Sequence, residues 1–264
     1  MDWSKIKTIF IISFLILDLY LTYQFLLIRD ANKYELISEV SLETSLKDNE
    51  ISFDELPKGP IKDQYLSAKP KEFNKEELSQ LKNQMITIVE HTTVESILEK
   101  PVSLTSKFDP FEAQNFLDAY VLNGDQYGLW NFDEVAKTIT FYQKFDNKMF
   151  YENINGKVVI HLNQDFQIIS YEQTYLESIE NLTDREEILP AIKAIEALYQ
   201  KGMLMPKSKI SLVEFGYSTL VQLAASQVLT PTWHFVVEGN GHLYVNAFEG
   251  QIIQFNSEEN KLME

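Results

Sequence analysis

Cysteine is absent from this chain of 264 residues. Its absence excludes disulfides, thiolate metal sites, cysteine nucleophiles and a lipidated N-terminal cysteine. Glycine is scarce as well, with nine residues, and neither a glycine-rich phosphate loop nor a Gly-x-Ser-x-Gly nucleophile elbow occurs. The sequence therefore lacks the common signatures of nucleotide binding and of serine or cysteine hydrolysis.

Histidine is almost as rare, and its four copies are His91, His161, His234 and His242. None belongs to a His-x-x-x-His or Glu-x-x-His motif, so a metal site would have to be assembled from distant segments. His234 and His242 flank an Asn-Gly turn and could face each other across two strands, where we expect them to serve packing. We predict no metal site, no cofactor and no catalytic residues.

Basic residues are few, with 23 Lys and Arg against 39 Asp and Glu, and the net charge is −16. The first thirty residues are balanced, so the whole acidic excess follows Asp30. Such a surface repels phosphate backbones and makes nucleic acid a poor partner. The 17 Phe and 13 Tyr are enough for a large core, which argues against a disordered chain.

One long apolar run, residues 8–28, contains no lysine or arginine. At about 1.5 Å per residue a helix of this length matches the roughly 30 Å hydrocarbon core of a bilayer. No Ala-x-Ala cleavage pattern follows it, so we predict an uncleaved signal anchor: a cytoplasmic head over 1–7 and a single transmembrane helix over 8–28. Two basic residues flank the run on each side, so their number does not decide its orientation. The short head favours a cytoplasmic N-terminus, with the C-terminal domain extracytoplasmic.

Asp18 lies near the middle of that apolar run. Insertion scales assign about 2.5–3.5 kcal/mol to an aspartate at a helix centre, which the Leu and Ile neighbours can offset. Thr22 follows one turn later on the same face, with Phe14 and Phe25 beside it. We predict that these four residues contact a polar partner helix. The alternative is an Asp18 that bonds to its own helix or snorkels, without any partner.

Residues 29–70 are predicted to form a juxtamembrane linker that leaves room for an edge strand or a short helix. A first lobe is predicted over 71–180. Asn74 and Glu77 resemble a capping box, which indicates a helix that runs toward residue 101 and that the β-branched residues after Met85 could end early. Asp109 followed by Pro110 predicts the start of a second helix.

The rest of the first lobe has strand-like alternation, typical of an antiparallel meander. Asn155-Gly156 predicts a type I′ hairpin turn within it. Phe141 and Tyr142 must point to opposite faces of their strand. One of these faces has to pack, and the other is free to be an exposed docking patch.

A second lobe is predicted over 181–256, before a polar tail at 257–264. Thr183 and Glu186 resemble a capping box for a helix that either kinks or begins at Pro190, and Gly202 is expected to end it. Asn240-Gly241 predicts a hairpin. The segments NGKVVIHLNQDFQII and NGHLYVNAFEGQII resemble each other, in agreement with two lobes. The predicted fold class is α+β, with helices packed on antiparallel sheets.

Several of these segments resemble one known family. The opening MDWSKIKTIFIISFLILDLYLTYQF is similar to the N-terminus of the YycI (WalI) regulatory proteins of low-GC Gram-positive bacteria. The stretch from ALYQKGMLMP to PTWHFVVEGNGHLYVNAFEGQII resembles the YycH/YycI domain and, more distantly, PepSY-type modules. This resemblance implies a single-pass membrane protein that acts with its sister protein YycH. Together the two would modulate the sensor histidine kinase WalK (YycG) and its response regulator WalR (YycF), without catalytic residues.

The sequence therefore leaves three alternative functions. The first is a non-enzymatic membrane-anchored regulator that works through transmembrane and ectodomain contacts. The second is an extracytoplasmic PepSY-type binding module that acts on an exported peptidase or envelope ligand. The third is an envelope hydrolase, which would require buried carboxylates with perturbed pKa values that converge in a cleft.

Overall fold

The structure is a computed structural model that describes residues 3–31, 39–53, 56–57, 62–105, 108–222 and 225–255. It divides into two compact units, residues 1–50 and residues 51–264. The predicted tail at 257–264 lies outside the described residues.

The described residues of the first unit form two helices, α1 (Trp3–Ala31) and α2 (Glu39–Asp48). Helix α1 includes the whole run 8–28, and its large apolar side chains from Phe10 to Tyr23 are exposed. Among the residues that the structure describes, no helix is both long and apolar enough to cross a membrane. The predicted transmembrane helix is therefore not confirmed.

The second unit is rich in strands. Its helices are α3 (Lys75–Leu78), α4 (Pro110–Tyr120) and α5 (Ala191–Gln200), with a 3-10 turn at Gly124–Gln126. Its strands are β1 (Ser52–Phe53), β2 (Lys62–Asp63), β3 (Leu66–Pro70), β4 (Gln84–Val89), β5 (Thr93–Ser103), β6 (Tyr127–Asp133), β7 (Thr138–Phe145), β8 (Lys148–Tyr151), β9 (Lys157–Leu162), β10 (Gln167–Gln173), β11 (Leu176–Asn181), β12 (Glu186–Glu187), β13 (Lys209–Gln222), β14 (Gln227–Val237), β15 (Gly241–Asn246) and β16 (Ile252–Ile253). The α+β class is confirmed.

The strands form one large, mostly antiparallel sheet. Its strand order is β11-β3-β14-β13-β8-β7-β9-β10-β5-β4. Strand β6 pairs with β7, and β15 lies beside β14. The short strand β8 is antiparallel to β7 and parallel to β13, so it joins the two halves of the sheet. Strands β2 and β12 form a separate pair. The predicted domain boundaries at 7/8, 28/29, 70/71, 180/181 and 256/257 stay predictions, and the segment 29–70 holds α2 and strands β1 to β3.

Helix α4 covers one face of the part of the sheet formed by β7, β9, β10, β5 and β4. It begins where predicted, because the Asp109 side chain accepts hydrogen bonds from the backbone N–H groups of Phe111 and Glu112. Ala113, Phe116 and Leu117 point inward, and the strands meet them with a row of buried apolar side chains that includes Val94, Ile139, Phe141, Val158, Ile160 and Ile168. Burial of this row stabilises the helix far more than its own propensity does.

Helix α5 begins after Pro190. Pro190 lacks an N–H and disfavours helical backbone at Leu189, so a helix cannot run through this point. The proposed cap from Thr183 to Glu186 is wrong, because Glu186 belongs to β12 and pairs with Asp63. Gly202, at φ +70°, follows the helix as predicted. The segment before α5 is tied to the sheet, because Trp233 Nε1 donates to Leu189 O at 2.8 Å.

The long helix predicted after Asn74 is also wrong. The capping box of Asn74 and Glu77 forms, but it starts only the single turn α3. Residues 84–103 instead make the hairpin of β4 and β5, with Glu90 and His91 at positive φ in the turn. Seven Ile, Thr and Val residues between Met85 and Glu95 favour extended backbone and outweigh the helical spacing of the leucines.

The type I′ turn predicted at Asn155-Gly156 is wrong as well. These residues connect β8 to β9, which both pair with β7 and not with each other. The two-residue hairpin lies at Asp146-Asn147, between β7 and β8, and both residues have positive φ. The hairpin at Asn240-Gly241 is confirmed, because β14 and β15 pair directly across it.

Candidate functional site

Two histidines from the β14–β15 hairpin meet on one face of the sheet. His234 lies opposite Tyr244 in the register, and His242 is two residues from Tyr244 on the same strand. The two rings are therefore diagonal neighbours across the strands. His234 Nε2 lies 2.8 Å from His242 Nδ1, and the two rings lie side by side and nearly coplanar, with centroids 5.1 Å apart and planes 11° apart. His234 is 1% exposed, whereas His242 lies at the surface.

Aromatic rings surround this histidine pair. Trp130 from β6 lies 5.1 Å from the His234 ring and 4.7 Å from the His242 ring, measured between centroids. Tyr151 and Tyr244 lie 4.9 Å and 5.0 Å from His234. The histidine pair therefore joins β14 and β15 to side chains of β6 and β8.

Gly216 on β13 makes room for one of these rings. A Cβ atom at Gly216 would lie 2.6 Å from Cε2 of Tyr151 and 2.4 Å from the backbone oxygen of Met149. Only a residue without a side chain lets Tyr151 reach His234 without a backbone shift. Glycine at position 216 therefore allows β8 to pack closely against β13.

Two carboxylates complete the cluster. Glu214 lies opposite His234 in the β13–β14 register, and its Oε2 is 3.7 Å from His234 Nδ1. Glu152 accepts hydrogen bonds from the hydroxyls of Tyr142 and Tyr244, at 2.9 and 3.2 Å. Burial, followed by the charge of Glu152, raises the pKa of both tyrosines, so they remain donors at neutral pH. Glu152 also has positive φ, a conformation that non-glycine residues rarely adopt.

The two histidines share one hydrogen bond, which needs one donor and one acceptor nitrogen. Among the described residues, His234 Nδ1 has no hydrogen-bond partner, and Glu214 is the carboxylate near it. A proton on His234 Nδ1 faces that carboxylate favourably, so Nε2 of His234 accepts from Nδ1 of His242. The outer nitrogen of His242 is then left as the basic one. Burial, with the neighbouring His234, lowers the pKa of His242, and Glu152 partly offsets this effect.

The site predicted from sequence lies elsewhere, on α1. Phe14, Asp18 and Thr22 follow one another at one-turn spacing along this helix, and their side chains are exposed. The side chain of Phe25 lies outside the described residues. Phe14 stacks on Phe10 with centroids 6.0 Å apart, next to a shallow cleft of about 220 Å³ lined by Phe10, Ser13, Phe14 and Leu17. The partner contact predicted for these four residues stays a prediction.

Comparison with known proteins gives a family. The family model described as "YycI protein" matches residues 31–248, which is most of the chain. The chain belongs to the YycI family. No curated protein matches it significantly.

Solved structures similar to this YycI-family chain share little sequence with it. An uncharacterized protein from Eubacterium rectale ATCC 33656 has 10% identity and a TM-score of 0.46, with 78% of this chain and 91% of that chain covered. YycH from Bacillus subtilis has 12% identity and a TM-score of 0.42, with coverages of 71% and 52%. The YpeB C-terminal domain of Bacillus megaterium has 10% identity and a TM-score of 0.36, with coverages of 83% and 99%.

The histidine cluster was only partly foreseen by the sequence. The sequence left open that the two histidines face each other across two strands, and they do. Trp130, Tyr151, Glu152 and Glu214 were not associated with them, because they come from three other strands and a turn. Phe141 and Tyr142 point to opposite faces as expected, but both are buried, so neither contributes an exposed patch.

The cluster can hold or release a proton, but its geometry is not that of a metal centre. Within the described ranges, no group of three or more His, Cys, Asp or Glu side chains converges in a way that could hold a metal ion. The described residues place here a hydrogen-bonded imidazole pair enclosed by aromatic rings.

Proposed function

We propose that this YycI-family protein is a non-enzymatic, membrane-anchored regulator. It would modulate a sensor histidine kinase of the WalK (YycG) type together with the sister protein YycH, through transmembrane and ectodomain contacts. The match of the YycI family model to residues 31–248 is the observation that carries this proposal.

Helix α1 supplies the proposed membrane contact. On this proposal residues 8–28 span the bilayer, the N-terminus is cytoplasmic, and the unit that starts at residue 51 is extracytoplasmic. The exposed Phe14, Asp18 and Thr22 form a ridge along α1 that combines a carboxylate, a hydroxyl and an aromatic ring. Within lipid, polar groups of this kind are the ones that associate helices, because lipid offers them no other hydrogen-bond partners.

The test is a co-purification from membranes that contain the kinase and YycH, combined with a reporter for a kinase-dependent promoter. Asp18→Leu removes the carboxylate from the proposed contact. Tyr20→Leu is the matched control, since residue 20 lies on the opposite side of the helix from residue 18. We expect Asp18→Leu to reduce recovery of the complex and shift the promoter signal, and Tyr20→Leu to leave both unchanged.

An ectodomain fused to an unrelated anchor separates the two routes of contact. If the fusion regulates as well as the native chain, α1 serves only as an anchor and the proposal of a transmembrane contact is wrong. That result would favour the second function, a binding module that acts through its exported domain alone. Membrane insertion of each variant is measured first, so that a loss of insertion is not mistaken for a loss of contact.

A further inference from the structure

Strand β4 forms one end of the large sheet, where it pairs only with β5 among the strands that the structure describes. Its six residues, Gln84–Val89, contain no charge and no proline, and their register with β5 has no bulge. Natural edge strands usually carry such features, because a plain edge offers unpaired backbone groups to any other extended chain. Strand β4 is therefore an unprotected edge.

The other edge strands in the described part of this sheet are irregular or very short. Strand β11, at the opposite end, has a register shift between two charged residues, Glu177 and Glu180. Strand β6, which pairs only with β7, has a shift between Leu129 and Asn131. Strands β1 and β16 have two residues each. This contrast distinguishes β4 as the edge that is open to pairing.

The backbone of β4 presents its unpaired groups in a regular order. Glu99 N donates to Asn83 O at 3.0 Å, in the same register that β4 and β5 share. Hydrogen-bonded positions alternate in an antiparallel pair, so every second residue from Asn83 onward bonds to β5. The N–H and C=O groups of Gln84, Ile86 and Ile88 therefore point away from β5, toward the free edge.

We propose that β4 pairs with β4 of a second copy of this chain, antiparallel and with Ile86 opposite Ile86. Gln84 then lies opposite Ile88 of the second copy, so the unpaired backbone groups of the two edges bond to each other. The charges at the ends of the strand favour this register. It places Lys82 opposite Glu90 of the second copy, and by symmetry Glu90 opposite Lys82. Both residues are exposed, and opposite charges that face each other across strands stabilise the pairing.

A second copy fits this edge by charge and by its apolar surface. The net charge of −16 makes two copies repel each other over most of their surfaces, whereas β4 is uncharged between a lysine and a glutamate. Beside the edge, Met85 and Ile97 are register partners on the outer face and are 70% and 60% exposed. The pairing brings the two copies of this apolar pair together and removes part of it from water. The proposal does not depend on kinase regulation, because it concerns contacts between two copies of β4.

Cross-linking through introduced cysteines tests the pairing and its register, since the native chain has no cysteine. Met85→Cys and Thr87→Cys are made in two full-length chains with different affinity tags, which are co-expressed and oxidised in isolated membranes. In the proposed register, residue 85 of one copy lies opposite residue 87 of the other at a non-hydrogen-bonded position. The Cα atoms are then about 4.5 Å apart, which suits a disulfide. We expect a disulfide-linked dimer that carries both tags, and far less of it from either variant alone, because identical residues lie about 7–8 Å apart.

Charge reversal tests the ends of the pairing. Lys82→Glu or Glu90→Lys, made in both tagged chains, places like charges opposite each other and should lower the rate of cross-linking about tenfold. The two reversals together should restore the rate. The restoration is specific to contact between copies, since residues 82 and 90 lie roughly 25 Å apart along one extended chain. Lys201→Glu, at an exposed position after α5, is the matched control with the same change of charge and should leave the rate unchanged.

Failure of the mixed chains to cross-link would overturn the proposal, and so would equal cross-linking by either cysteine variant alone. A double charge reversal that does not restore the rate would count against it in the same way. A cross-link to a different protein would show that the edge serves another partner and would also contradict it. All the substituted side chains are exposed, so the variants should fold, and their melting temperatures in a mild detergent check this.

Discussion

Strand β14 is buried on both faces, but the two faces are built from different chemistry. Leu229, Trp233, Phe235 and Val237 form an apolar face. Thr230, Thr232 and His234 form the other face and are equally buried. The apolar face gains stability from area removed from water, whereas the polar face must satisfy each buried group with a partner.

The polar face meets this requirement only in part, because within the described residues Thr230 Oγ1 and His234 Nδ1 have no hydrogen-bond partner. Its remaining groups make short side-chain contacts. Ser218 Oγ lies 2.7 Å from Thr232 Oγ1, which also donates to Thr230 O at 2.9 Å. His234 bonds to His242. Strand β14 therefore stabilises the sheet through apolar packing on one face and through side-chain hydrogen bonds on the other. Substitutions on each face can measure the two contributions separately.

The largest effect is expected on the apolar face. Trp233→Ala removes a side chain that packs against Phe215 at 5.0 Å and donates to Leu189 O, so it should lower the free energy of unfolding by about 3–5 kcal/mol. Denaturant titration of the full chain in detergent measures this loss. Trp130→Ala, on the half-buried tryptophan of the histidine cluster, should cost less, and equal losses would contradict the difference between the faces.

Gly216→Ala should come next, with a loss of about 1–3 kcal/mol, because its Cβ would meet the fixed backbone oxygen of Met149 at 2.4 Å. Gly128→Ala is the matched control. Its Cβ would meet only the flexible side chains of Lys144 and Met149, at 3.0 Å, and these can move. A loss in Gly128→Ala as large as in Gly216→Ala would count against a rigid contact between β8 and β13.

Thr232→Val keeps the shape of the polar face but removes the hydroxyl that Ser218 needs. We expect a loss of at least about 1 kcal/mol, since a buried hydroxyl is left without its partner. Adding Ser218→Ala should cost little more, because both polar groups are then gone. A double-mutant cycle measured by denaturant unfolding tests this coupling, and strictly additive losses would argue against it.

The smallest effect is expected at an exposed pair of a histidine and a glutamate. His161 Nε2 lies 3.1 Å from Glu172 Oε1 on the β9–β10 surface. The hydrogen bond from His161 lowers the pKa of Glu172, although partial burial opposes this. The resulting stability is present above the ordinary Glu pKa and lost as pH falls through the lower folded value. His161→Gln should therefore cost less than about 1 kcal/mol at pH 5 and nothing at very low pH, as thermal unfolding can show.

The sequence predicted the features that depend on a few neighbouring residues, such as helix caps and hairpin turns. Asp109-Pro110 starts α4, because the Asp109 side chain itself supplies the cap. The Asn240-Gly241 signal falls on the β14–β15 hairpin, where Gly239 and Gly241 have positive φ. Residues 84–103 were expected to be helical at least in part, and the structure has strands there. Their extended pairing depends on neighbours that periodicity alone does not reveal.

The histidine cluster shows the same limit at the level of a site. In β14, His234 and Trp233 lie on opposite faces, as alternation along a strand requires. Alternation could not reveal that both faces are buried, because the cover for His234 comes from Trp130 and Tyr151, more than eighty residues earlier. Alternation within one strand predicts the face on which a residue lies. It does not predict which residues from distant parts of the sequence will cover that face.

Strand β8, only four residues long, has a consequence for how the chain folds. Its parallel pairing with β13 joins Phe150 to Tyr217 and Tyr151 to Ser218, across a long intervening segment. The hairpins on either side close short loops. The β8–β13 pairing closes a long loop and therefore carries a larger entropic cost. We expect the hairpins to form first and the β8–β13 joint to form last, as the slow step in refolding. Amide hydrogen exchange at residues 150 and 217 should then show the opening of this joint before the strands that flank it separate.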